Sequence, residues 1–490
     1  MSLSSVVDIS RSALSVTSEL TGIASRNIAN ASNSGATRKT ADLVTMFGGA
    51  PRVASIGRST SGALQDGVIE ATSDAARLDV VVAALDKLDL TAGDSQSSAS
   101  AASKLGVLKA ALQTYSANPA DRTSAAGVLS SAGEVVSAMH DWAGGADDVR
   151  LQANADISAS VSNLNTYLKQ VGELNAQIVN GTIAGADVTD QLDARDQAIA
   201  GISREVGVTV VNRNSNSIAL YTDSGMTLFD GEARPVSMQS APLVDGAAGP
   251  AVLIDGVPAT GAGAVMPVSS GRIAGLVEVR DKLATTFSAQ LDALAGGLIR
   301  AFAESDQRTP STLPMAAGLF VSSTSTVVPA AGSAVAGLAK SIAINATADP
   351  SQGGDLLRLR DGGISNPGNG AFLYNSTGAS GYTGRIQQLA DALSQTQTFT
   401  AASGISPSAS LSEFAAASMG WLQGQRQTSS QESSAASAFL QRAQDTLNKT
   451  SGINIDDEMT QLLDLERTYQ ASAKLISTVD SMFNTLIQAV

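Results

Sequence analysis

The sequence predicts a mainly α protein in which both chain ends form a discontinuous terminal coiled-coil domain and a long-helix bundle, with a β-rich module inserted between bundle segments. Three observations carry this. Ten of the thirteen prolines fall between 235 and 367, and an internal proline breaks a helix, so long helices are confined to the runs 120–234, 268–309 and 408–490. Within those runs, and at the N-terminus, apolar residues recur at spacings of three and four. Between 208 and 228 the period switches to alternation.

Residues 1–35 read as the N-terminal helix of the terminal domain. Val6, Ile9, Ala13, Val16, Leu20 and Ile23 keep helical spacing, which extends through Asn27 and Asn30 into a turn at Asn33-Ser34-Gly35. Residues 36–204 read as the first part of the bundle. There Ile157, Val161, Leu164, Leu168, Val171 and Ile178 form a stripe that includes polar Asn175, followed by Val188, Leu192, Ile199, Ile202 and Val206.

The β-rich insert, 205–270, is expected to face outward. It runs through Val208 and Val210, an Asn214-Ser215-Asn216 turn, Ile218 and Leu220, then Ser224-Gly225 before Met226 and Leu228. Residues 271–451 return to the bundle with Leu276, Leu283, Phe287, Leu291, Leu294, Leu298 and Phe302 on one helix. An irregular region, 306–383, and a weaker helical pattern follow.

The segment 452–490 reads as the C-terminal helix of the terminal domain. Ile455, Leu462, Leu465, Tyr469, Ile476, Val479, Phe483 and Leu486 form a heptad seam, interrupted by Glu458 and Ser472. Acidic Asp456-Asp457-Glu458 suits a helix N-terminus. The two terminal helices span roughly 40 and 58 Å at 1.5 Å per residue. Residues 1–40 carry net charge +2 and 452–490 net charge −4, which favours their pairing. Met459, Leu463, Met482 and Ile487 lie off the seam and widen the apolar surface beyond what one partner helix covers. The ends are therefore expected to order fully only in an assembly, against the alternative of an intramolecular helical hairpin that caps the bundle.

Composition removes most chemistry. The net charge is −14, with one histidine and no cysteine. An acidic surface repels phosphate backbones, which argues against nucleic acid, and the lack of thiols excludes disulfide scaffolds, zinc ribbons and iron–sulfur clusters. His140, beside Asp141-Trp142, reads as a helix end or turn. The dipeptide Gly-Lys never occurs, so there is no P-loop, and Gly261-Ala262-Gly263 reads as a loop. No catalytic residue, metal ligand or cofactor is expected.

Asp193, Arg195 and Asp196 are candidates for inter-domain or inter-subunit salt bridges, against the alternative of a solvated helix face. No basic stretch precedes an apolar core at the N-terminus, so no cleavable signal is expected. The uncharged stretch 309–339 holds three prolines and nine Ser or Thr residues, which argues against a membrane span.

Ala24-Ser25-Arg26-Asn27-Ile28-Ala29-Asn30, with Asn33-Ser34-Gly35-Ala36-Thr37-Arg38-Lys39, resembles the N-terminal motif of flagellar rod, hook and hook-associated axial proteins. Ser451-Gly452-Ile453-Asn454-Ile455-Asp456-Asp457-Glu458-Met459, continued by Tyr469-Gln470-Ala471-Ser472-Ala473-Lys474 and Ile476-Ser477-Thr478, is similar to their C-terminal motif. Ala36 stands where members usually carry an aromatic residue. The passage from Gln191-Leu192-Asp193-Ala194-Arg195-Asp196-Gln197 to Glu205-Val206-Gly207-Val208-Thr209-Val210-Val211 resembles the hook-associated protein 1 family, the junction proteins between hook and filament. Gly275-Leu276-Val277-Glu278-Val279-Arg280-Asp281 is similar to that family's next helix.

The resemblance implies a structural, non-enzymatic component of the bacterial flagellum, exported unfolded through the flagellar type III channel without a cleaved signal. It implies an export chaperone on the C-terminal region and an extracellular place at the hook–filament junction. The implied partners are about eleven copies of the chain itself in a ring-like helical layer, the hook protein and the third hook-associated protein. The alternatives are another axial protein, of the hook or rod, and an enzyme on an axial scaffold, which needs a pocket of ionisable groups within 205–380.

Overall fold

The computed structural model describes residues 3–33, 35–47, 49–92 and 100–488. Its first elements are α1 (Leu3–Asn30), a hairpin of β1 (Lys39–Thr45) and β2 (Pro51–Arg58), then α2 (Gly62–Ala92), α3 (Ala101–Ala117), α4 (Arg122–Ile183) and α5 (Thr189–Glu205). Short strands follow: β3 (Val208–Asn212), β4 (Ile218–Thr222), β5 (Thr227–Asp230), β6 (Glu232–Ala233), β7 (Val236–Met238), β8 (Val252–Ile254) and β9 (Val257–Pro258). The chain returns through α6 (Gly271–Glu278) and α7 (Ala284–Ala301) to an irregular stretch holding β10 (Phe320–Ser322), α8 (Leu338–Ser341), β11 (Ile342–Ile344) and α9 (Arg358–Asp361). After α10 (Gly384–Ala392), β12 (Gln397–Thr398) and β13 (Ser408–Ala409) come α11 (Leu411–Ser451) and α12 (Ile455–Gln488).

Helix α4 is the spine. Its stripe at Ile157–Ile178 begins far earlier than the sequence expectation, because Ala125, Val128, Ala132, Val135, Met139 and Trp142 continue it with mostly small residues. Asp121 caps the helix by accepting hydrogen bonds from the Thr123 and Ser124 amides. His140, expected at a helix end or turn, lies mid-helix, and its Nε2 is 2.8 Å from the Ile342 carbonyl. The neighbouring Gly145 does not break the helix. It admits α2, for a Cβ there would sit 2.4 Å from Thr91.

The stretch 36–58, assigned above to the helical bundle, is instead the antiparallel β1–β2 hairpin, paired from Lys39 with Arg58 to Thr45 with Pro51. Thr, Val and Ile at strand positions outweigh any helical preference here. Strands β3 to β6 form one antiparallel sheet and β7 to β9 another. Their inner residues Leu220, Phe229, Val236, Val252 and Ile254 share one core with α4.

Polar ties reinforce that packing. Asn165 on α4 donates to the Val236 carbonyl (2.8 Å) and accepts from its amide (3.1 Å), and Arg150 donates to the Val244 carbonyl (2.9 Å). The β-rich module thus gives one face to the body's core, while Val211, Val244, Val257 and Val265 stay exposed on it. Deleting 212–268 is accordingly expected to unfold the body. Each buried aliphatic side chain lost costs ~1.5 to 3 kcal/mol, against a net stability of about 5 to 15 kcal/mol. Loss of the helical circular-dichroism signal or of protease resistance checks this.

Helices α6 and α7 are continuous through a π-helical turn at Val279–Leu283. The turn carries Arg280 into the core, where it pairs bidentately with Asp281 (2.7 Å for each bond) and donates to Asn154 (2.9 Å). Ser410 and Glu413 close a capping box on α11. Its start lies in the core through Leu411, Phe414, Met419 and Leu422. Beyond that it runs along α2 through polar contacts, including Gln423 to Asp89 (2.6 Å) and Ser433 to Asp79 (3.0 Å). The core cluster runs from Val81 to Leu422 and includes no residue of α1 or α12. Those two helices pack on each other.

Candidate assembly interface

In the α1–α12 pair, Val16, Ile23, Asn27, Leu465 and Val479 are buried. Val6, Ile9, Ala13, Leu20, Asn30, Leu462, Ile476 and Phe483 are half-buried. Ile455 and Tyr469 remain 50% and 49% exposed, and the side chain of Leu486 lies outside the described residues, as does Ser34 of the N-terminal motif. Glu458 and Ser472, read above as interruptions, are only 1% and 7% exposed. The reason is spacing: 458, 465, 472 and 479 are seven apart and fall on one face. A small hydroxyl fits at 472, and a carboxylate is tolerated at 458 because it has partners. Met459, Leu463, Leu475, Met482 and Ile487 stay exposed on α12.

At the base of the pair the chain builds a polar junction. The Asn27 amide donates to the Lys39 carbonyl (3.0 Å) and accepts from the Lys39 amide (2.9 Å), so a side chain on α1 satisfies the backbone where β1 begins. The same amide donates to Glu458 Oε2 on α12 (3.0 Å), while Arg38 Nε donates to Glu458 Oε1 (2.6 Å). The Arg38 amide donates to the Ser451 carbonyl (2.9 Å), and the Ser59 hydroxyl to the Thr450 carbonyl (3.0 Å). Four chain segments therefore converge on two residues, Asn27 and Arg38.

Helix α5 supplies the other half. Asp193 accepts from Lys39 Nζ, from Arg58 (2.7 Å), and from the Thr37 amide and hydroxyl (3.1 and 2.7 Å). Arg58 also donates to Asp196 (2.8 Å), and Arg26 on α1 reaches Asp187 (2.9 Å). Arg195, grouped above with these salt bridges, meets no carboxylate among the described residues. It donates to Asn175 (3.0 Å) and to the Asn216 carbonyl (2.6 Å). Residues 193 and 196 share a helical face, and 195 points away from it.

The pattern alone could not name Glu458, Arg38, Lys39 and Arg58 as the partners. The charge imbalance between the two ends was the one signal that pointed to Arg38 and Glu458.

Burial pushes the Asp193 carboxyl up, but the hydrogen bonds from Lys39, Arg58 and Thr37 outweigh it and hold it below the ordinary 3.8. Asp187 is likewise pushed up by burial and held low by Thr189 and Arg26. A carboxyl depressed in the folded state contributes stability that is present above its unfolded value. That stability is lost as pH falls through the lower folded value. Acidification below 3.8 is therefore expected to loosen the junction, read as faster hydrogen exchange at the base of α1 and α12. Asp193→Asn is expected to flatten that pH dependence.

Among the described residues no group of three or more His, Asp or Glu is placed to hold a metal ion. Among those residues no helix is long and apolar enough to cross a membrane. The arrangement joins a two-helix element to a body at a buried, charge-paired junction.

A family profile described as the flagellar hook-associated protein FlgK helical domain matches residues 54–308. A second, the flagellar basal body rod FlgEFG protein C-terminal region, matches residues 443–489. Flagellar hook-associated protein 1 of Salmonella typhimurium is 39% identical over 82 residues, which cover 16% of this chain and 15% of the relative. The Escherichia coli K12 protein of the same name is 37% identical over 82 residues, with the same coverage. The matched segment thus spans only 15% of these relatives' own length. The solved flagellar hook junction protein FlgK from Burkholderia pseudomallei aligns with a TM-score of 0.43 at 20% identity, covering 52% of this chain and 46% of that one.

Proposed function

Because the chain belongs to the flagellar hook-associated protein FlgK family, we propose that it is a structural junction component that joins hook to filament by helical self-assembly. The observation that carries this is the α1–α12 pair. It has a seam of its own outside the body's core, leaves apolar side chains of α12 exposed, and is tied to the body at a polar junction.

In this reading the exposed stripe is covered by neighbours. They are further copies, about eleven to a layer, with the hook protein on one side and the third hook-associated protein on the other. Before assembly an export chaperone covers the C-terminal region. The chain works outside the cell, at the hook–filament junction, after export without a cleaved signal. The ends order fully only on assembly, since one partner leaves much of the apolar surface of α12 in water. The role involves no catalysis. A hook or rod protein is the second reading, favoured by the C-terminal match at 443–489; the helical-domain match at 54–308 favours the junction.

Electron microscopy of a strain lacking this chain tests the role. Hooks without filaments, restored by the intact gene, are expected. Filaments still attached to hooks would overturn it.

A further inference from the structure

We propose that the tip of the β1–β2 hairpin in one copy docks, through Phe47, into the groove at the hairpin base of a second copy. The inference rests on the self-assembly proposed above and names one of its contacts. Phe47 is fully exposed, and Leu43, Val44 and Met46 beside it are about half exposed. Successive strand side chains point to opposite faces, so these residues make the end of the ribbon apolar on both faces. Aromatic anchors of this kind contribute most when a partner's pocket buries them.

The chain carries a matching pocket. An open groove of about 910 Å³ lies between β2, the start of α2, α5, β3 and the end of α11. Val53, Ile56, Ile69, Leu192, Val210 and Leu447 give it a half-buried apolar wall.

A copy cannot fill its own groove. The hairpin runs back along α1: Gly49 lies against Ile9, and the Ser12 hydroxyl donates to the Pro51 carbonyl. The groove starts part-way up the ribbon at Val53, the cross-strand partner of Leu43, and runs down past Arg58 to Leu192 and Leu447; seven strand residues at about 3.3 Å each hold the tip ~20 Å from that lower end. The occupant is therefore another copy. Arg52, beside the tip, and Asp66, on the rim of the groove, are both exposed, one pair of opposite charges that the contact brings together. Tip and groove are different surfaces, so the contact is heterologous and repeats from copy to copy without closing on a pair. That is the geometry a helical layer needs.

The chain has no cysteine, which makes disulfide trapping clean. A variant carrying both Met46→Cys and Ala200→Cys, present as the only copy in cells, is expected to give a ladder of linked dimers, trimers and higher species after oxidation of isolated hooks. The ladder collapses with reductant and is absent for either single substitution. Hooks that bear filaments but yield only monomer overturn the docking while leaving the junction role intact. Isolated hooks that lack even the unsubstituted chain overturn the role itself. Where the double variant does not incorporate, Phe47→Ala and Phe47→Tyr decide. An about tenfold drop in filament-bearing cells for Ala, with Tyr near wild type, supports the docking. Equal counts for Ala and wild type overturn it.

Discussion

Substituting aspartate for Ile476 and Phe483 together will leave a folded, soluble body and hooks that carry no filament. Both side chains are half-buried on the seam face of α12, flanking buried Val479. A carboxylate at either site trades partial apolar burial, about half of the ~1.5 to 3 kcal/mol of a fully buried side chain, for the cost of partly desolvating a charge that has no partner. The body survives because its core runs from Val81 to Leu422 and includes neither terminal helix. Thermal unfolding of the variant should therefore retain the body's main transition, while hydrogen exchange rises along α1 and α12. Normal filaments in a strain carrying only this variant would remove the seam from the mechanism.

The second large effect falls on the junction. Asp193→Ala removes the carboxylate that holds Lys39 and Arg58, whose side chains are only 4% and 11% exposed. A buried charge left wholly uncompensated costs ~3 to 5 kcal/mol; here Arg58 keeps Asp196 (2.8 Å) and Lys39 keeps the exposed Asp190 (3.6 Å), so the loss falls below that range. The loss is expected to separate the terminal pair from the body, seen as a new early transition in urea and as rapid exchange across 37–58. Adding Lys39→Met should recover part of it, since one stranded charge is then gone. A double variant no better than the single one would show that Asp193 acts through packing alone.

Much of this was legible in the sequence, and the exceptions have physical causes. Proline placement marked out where α4, α7, α11 and α12 run, because a proline's cost to a helix is local. The β1–β2 hairpin was missed. Its two strands pair with each other in a stretch that does not alternate apolar with polar residues, and Asn27 on α1 satisfies the Lys39 backbone where β1 begins. The β-rich module was recognised by its alternation, but its inward face was not, since alternation gives two faces and does not say what covers either.

Glu458 and Ser472 fell out of the seam because an apolar pattern counts a carboxylate and a hydroxyl as defects. The fold places them inside, one paired with Arg38 and Asn27 and the other small enough to fit. Asp193 and Asp196 were singled out by charge, but their partners lie about 135 to 155 positions away in sequence, and only the tertiary fold brings them together. Arg195 was grouped with them by adjacency, and helical geometry turns it to the other side.

The central claim is that this chain forms a layer between hook and filament through its paired terminal helices. A cryo-electron microscopy reconstruction of the intact hook–filament junction tests it most directly. The account predicts density for this chain in a ring-like helical layer at that position. In it the α1–α12 pairs of successive copies pack on one another, and the exposed stripe Met459, Leu463, Leu475, Met482 and Ile487 lies against neighbouring subunits. A junction without this chain, or one in which that stripe faces solvent and the body alone makes the contacts, would contradict it.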